Sequence, residues 1–105
     1  MKEIKTVDVF EEIINNGEIN IVKFFTTWCP DCTRMDMFIG DIVEANNDKT
    51  WYTLNKDELP EIAEKYDVMG IPSLLIFKNG EKIGHLHSAN AKTPEQVEEF
   101  LAAYK

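Results

Sequence analysis

The stretch Ile19-Asn20-Ile21-Val22-Lys23-Phe24-Phe25 is largely apolar on both of its alternate faces, the pattern of a central strand covered by helices on each side. It leads through Thr26 and Thr27 into Trp28-Cys29-Pro30-Asp31-Cys32. From Pro30 to about Asn47, Met35, Phe38, Ile39, Ile42 and Val43 fall on one stripe. A strand, a turn bearing two cysteines and one long amphipathic helix, weakest at Gly40, are therefore expected in direct succession. With 105 residues, 44% of them hydrophobic, the chain can enclose a single core, so one domain spanning 1–105 is expected.

The remaining patterns extend this unit on both sides. Thr6 can cap a helix over Val7 to Asn16, with Val9 or Phe10, Ile13 and Ile14 at helical spacing and Gly17 as its stop. Thr50 to Leu54 reads as a strand and Pro60 to Tyr66 as a short helix with proline in its first turn. Ile71-Pro72 opens a strand over Ser73 to Phe77, and Asn79-Gly80 signals a hairpin returning the chain through Glu81 to His87. Thr93-Pro94-Glu95-Gln96 supplies an N-cap, a first-turn proline and a capping-box glutamine for a last helix with Val97, Phe100, Leu101 and Tyr104 on one face. These elements predict an α/β fold whose central mixed sheet is flanked by helices. The order of strands in that sheet is left open.

Charge narrows the function. Lys and Arg total 11 against 19 Asp and Glu, a net charge of −8, which repels nucleic-acid phosphates and anionic membranes alike. No segment approaches the length of a membrane-spanning helix, and Met1 to Thr6 has no apolar run of the kind a signal peptide needs, so the cytoplasm is the expected location. Disulfides are rarely structural in that reducing compartment, and Cys29 and Cys32 are the only cysteines. They read as a working pair.

At a helix N-terminus the first thiol of such a pair is acidified, so Cys29 is the expected nucleophile and Cys32, one turn further in, the resolving residue. Asp31 between them opposes a thiolate. Lys23 is the one charge in the central strand; on the face of Ile21 and Phe25 its ammonium is either partly buried or snorkels to the edge near the cysteine helix, where it would favour a thiolate, and otherwise its charge reaches water away from the site. Plainer readings exist for each residue: two reduced cysteines serving as small apolar groups, a core Trp28, a trans Pro72. His85 and His87 fall on one side of a predicted strand and with the cysteines would number four zinc ligands. The absence of a second close pair with zinc-site spacing argues against metal. The acidic series Asp57, Glu58, Glu61, Glu64 and Glu95, Glu98, Glu99 reads as solvated helix faces.

Phe25-Thr26-Thr27-Trp28-Cys29-Pro30-Asp31-Cys32 together with Gly70-Ile71-Pro72-Ser73-Leu74-Leu75-Ile76-Phe77-Lys78-Asn79-Gly80 resembles the thioredoxin family. The similarity is greatest to small thioredoxin-like proteins with Trp-Cys-Pro-Asp-Cys in place of Trp-Cys-Gly-Pro-Cys. The resemblance implies the thioredoxin-like fold, with Pro72 cis and beside the cysteines. It implies a dithiol that reduces protein or low-molecular-weight disulfides without metal or organic cofactor, and that is itself re-reduced by a flavoenzyme reductase or a small thiol. Substrates are expected to dock across Trp28, Pro30, Asp31, Ile71 and Pro72, with Asp31 and Lys23 tuning the thiol. The chain departs from the family pattern at Lys23, where an aspartate is usually buried, at Met37, where a proline kinks the long helix, and at Ser88, where a glycine opens the groove. A redox-sensing protein that uses the same disulfide as a switch for partner binding is the alternative, and a monomer is the default for a small acidic domain of this kind.

Overall fold

The computed structural model describes residues 1–104. It contains β1 (Lys2–Ile4), α1 (Val7–Ile14), β2 (Asn20–Phe25), α2 (Pro30–Asp36), α3 (Ile39–Ala45), β3 (Thr50–Asn55), α4 (Pro60–Lys65), β4 (Ser73–Lys78), β5 (Glu81–Leu86), a 3-10 turn at Ser88–Asn90 and α5 (Pro94–Ala102). The strands form one sheet in the order β1-β3-β2-β4-β5. β3 runs parallel to β1 and β2, whereas β4 is antiparallel to β2 and β5. This is the expected mixed sheet, and β2, buried on both faces along nearly its whole length, lies at its centre.

Each face has its own core. Val22 and Phe24 meet Phe10 and Ile14 of α1, Ile62 and Ala63 of α4, and Leu75 and Phe77 of β4. Phe77 packs edge-on to Phe10 and Tyr66, with centroids 5.4 and 5.0 Å apart. On the opposite face Ile21, Leu74 and Ile76 meet Met35 of α2, Ile39 and Ile42 of α3, and Val97 and Leu101 of α5. Burying each such side chain contributes roughly 1.5–3 kcal/mol. Of the alternatives at the start of α1, Phe10 is the core residue and Val9 faces outward.

Two sequence expectations need correction. The long helix from Pro30 is two helices, broken at Met37 and Phe38, where Met37 N–H donates to Arg34 O and Phe38 N–H to Met35 O at 3.2 and 3.0 Å. These tight turns redirect the axis without a proline, so that Ile39 and Ile42 stay on the same core as Met35 while Met37 faces solvent. Strand β1 has no counterpart in the sequence reading. It is three residues long with only Ile4 buried, too short for alternation to register.

Candidate active site

Strand β2 ends at Phe25 and the chain turns through Thr26 to Trp28 before α2 begins. Cys29 occupies the N-cap position with extended backbone (φ −97°, ψ 107°), and its Sγ accepts the Cys32 N–H at 3.0 Å. Pro30 follows at the first helical position, where its missing N–H costs nothing. Cys29 and Cys32 are joined as a disulfide with their Cα atoms 5.3 Å apart. Both are well covered, Cys29 retaining 6% of its surface and Cys32 3%. The exposed end anticipated for Cys29 is therefore a narrow opening.

Trp28 stands beside that opening, 68% exposed, with its indole Nε1 donating to Asp57 Oδ2 at 2.8 Å. By its charge pattern Asp57 belongs to a solvated acidic face, yet it holds the indole. Nothing local marks it, because the partners are 29 residues apart and meet only when the β3–α4 connection folds beside the β2–α2 turn. The Ile71–Pro72 peptide bond, just before Ser73 pairs with Phe24 near the end of β2, is cis. Pro72 is buried and Ile71 half-buried, while Met69 just before them is 86% exposed. A Cβ on Gly70 would collide with Ser88 Oγ, so the glycine lets the segment before β4 close onto the turn after β5.

Lys23 is buried, 3% exposed, on the face of β2 that carries Ile21. Its ammonium is paired with Asp36, which lies four residues after Cys32 and thus one turn along the same side of α2. The charge reaches the cysteine helix, one of the sequence readings, and is paired there one turn beyond Cys32. Asp31, half-exposed between the cysteines, is bonded by Lys92 Nζ at 2.7 Å. That hydrogen bond and charge, with a smaller contribution from Arg34, hold its carboxyl below the usual carboxylate range. His85 and His87 stack on each other at 3.7 Å. Among the described residues no three His, Cys, Asp or Glu side chains gather as metal ligands.

A five-stranded mixed sheet between helices, with a Cys-X-X-Cys disulfide capping a helix after the central strand, defines a dithiol–disulfide protein of thioredoxin fold. A family model described as Thioredoxin matches residues 2–103, and the chain belongs to the thioredoxin family. It is 34% identical over 98 residues to thioredoxin AMT13 of Alternaria alternata, covering 92% of this chain and 83% of that one. With thioredoxin-1 of Saccharomyces cerevisiae it shares 32% identity over 101 residues, covering 96% and 95%. A solved thioredoxin structure from Plasmodium falciparum superposes with a TM-score of 0.89 at 24% identity over the whole of both chains, a likeness of fold. The protein is a thiol–disulfide oxidoreductase, a protein-disulfide reductase that acts on disulfide substrates and is re-reduced by a reductase or a thiol. The purely redox-sensing alternative is not favoured.

Proposed function

We propose that the exchange is carried out with Cys29 attacking and Cys32 resolving. The Cys29 thiolate attacks one sulfur of a substrate disulfide, forming a Cys29–substrate bond and releasing the other sulfur as a thiolate that takes up a proton. Cys32, having lost its own proton, then attacks Cys29 Sγ. The second substrate sulfur leaves, the Cys29–Cys32 disulfide closes, and two electrons have passed to the substrate. The observation that carries this assignment is the Cys32 N–H directed at Cys29 Sγ, an amide donor that stabilises negative charge on that sulfur and not on the other.

Substrates would dock across Trp28 and Pro30 beside Cys29, Asp31 between the two cysteines in the chain, and Ile71 with Pro72 opposite them. Among the described residues no main-chain partner is found in the loops for the Ile71 N–H or C=O. That supports pairing of an extended substrate segment along Ile71. Lys23, held by Asp36 one turn from Cys32, would favour deprotonation of the resolving thiol. The family match over 2–103 supports reading 1–105 as one domain. We place it in the cytoplasm as a monomer, reduced there by a flavoenzyme reductase or a low-molecular-weight thiol, since a working dithiol needs a reducing supply. Among the described residues no helix is long and apolar enough to cross a membrane.

Trapping tests the assignment. Cys32→Ser should accumulate mixed disulfides on Cys29 that mass spectrometry can identify, whereas Cys29→Ser should capture none. Capture by Cys29→Ser instead would reverse the roles.

A further inference from the structure

Asp31 places a carboxylate in the first turn of α2, between the two cysteines in the chain, where its charge opposes ionisation of Cys29. That charge is paired, although its side chain stays 40% exposed. Lys92, 61 residues further along the chain, brings Nζ to 2.7 Å from Asp31 Oδ2. The reach is not accidental to a floppy segment, because the Lys92 main chain is pinned: its N–H donates to Gln96 Oε1 at 2.7 Å, and the same oxygen accepts Thr93 N–H at 3.1 Å within the capping box of α5. The helix cap thus fixes the backbone from which the ammonium extends.

The charged groups around the motif come from four elements. On α2 itself stand Asp31, Arg34 and Asp36. From β2 comes Lys23, already paired with Asp36; from the β3–α4 connection comes Asp57, held on the Trp28 indole; and from the segment before α5 comes Lys92. The segment Met69 to Pro72 contributes no charge, and the titratable His87 stands at the end of β5, stacked on His85. Lys92 is the one lysine among these groups directed at Asp31.

We propose that Lys92 is a positioning residue for disulfide exchange: its ammonium draws the Asp31 carboxylate toward the cap of α5 and cancels its charge, so that Cys29 ionises nearly as it would beside a neutral residue. The proposal rests on Cys29 being the nucleophile. As an exposed ion pair it contributes little to stability, but charge cancellation does not require a stable pair in that sense. One uncompensated charge about 7 Å from a sulfur in a water-like medium shifts a thiol by about half a pH unit, roughly threefold in the thiolate-to-thiol ratio.

The test is titration of the reduced protein, by thiolate absorbance and by the pH dependence of alkylation, in a Cys32→Ser background that isolates Cys29. Lys92→Gln should raise the Cys29 pKa by about half a unit, and Lys92→Arg should restore it. Asp31→Asn should lower it, and in that background Lys92→Gln should have little further effect. A Lys92→Gln shift of the same size with and without Asp31 would show the cation acting directly on sulfur and overturn the positioning role. A lowered melting temperature with an unmoved Cys29 pKa would reduce Lys92 to a structural tether and overturn it too. An acidified thiol that survives in Cys29→Ser instead sinks the nucleophile assignment, an outcome distinct from failure of Lys92.

Discussion

A buried ammonium must have a counter-charge within reach, because leaving an ion unpaired in the interior costs several kcal/mol. At position 23 that partner is Asp36, whose carboxylate stands at the solvent edge of α2. The pair carries the charge of β2 out of the apolar layer between Ile21 and Met35 and sets it one helical turn from Cys32. Replacing Lys23 with methionine keeps the apolar stem and removes the charge, so folding stability should change little or rise, while the Cys32 thiol should become less acidic by about half a pH unit. The pH dependence of mixed-disulfide resolution reads this directly, and a profile superposable on the wild type would remove Lys23 from the chemistry. Lys23 was legible as a misfit in an apolar strand; Asp36 was not, since thirteen residues separate them and only the packing of α2 on β2 brings them together. The same is true of Asp57 and Trp28.

At the scale of elements, caps and turns were the most readable features because their chemistry is local. Thr6 Oγ1 accepts Val9 N–H at 3.2 Å, Thr93 and Gln96 form the reciprocal box at α5, and Gly80 takes the positive φ (81°) that the Asn79-Gly80 hairpin requires. The division of the expected long helix into α2 and α3 was not readable, because one apolar stripe runs through both and the break comes from fitting that stripe to the sheet. Gly40 lies in the first turn of α3, exposed, with helical backbone and nothing within 4 Å of where a Cβ would be. Gly40→Ala should therefore stabilise the protein by about 0.5 kcal/mol through the lost flexibility of the unfolded chain. A melting temperature higher by about 2–4 °C is expected, and a decrease would mean that the α2–α3 break depends on glycine there.

Across the whole molecule, pH acts through a residue outside the cysteine motif. His85 on β5 is pushed down to about 4 from an ordinary 6.5, first by burial and then by the charges of Lys82 and His87, with Asp67 opposing. Its Nδ1 stands 3.0 Å from Lys82 Nζ, which also donates to Tyr66 O after α4; the ring must be neutral there to accept. The unfolded chain binds the proton more readily than the folded one between pH 4 and 6.5, so this contribution is fully present above 6.5 and is lost as pH falls toward 4. Denaturation midpoints should drop over that interval, and His85→Gln should flatten the slope; an unaltered slope would assign the loss to carboxylates instead. What the amino-acid sequence determined by itself was everything carried by neighbours in the chain: the helix caps, the hairpin, the buried central strand and the cysteine pair at a helix start, all set by contacts within a few residues. Tertiary structure alone decided the strand order, the addition of β1 at the edge of the sheet, and which lysine answers which aspartate around the sulfurs. Those choices depend on charges and backbones that meet only after the chain has closed over its two cores.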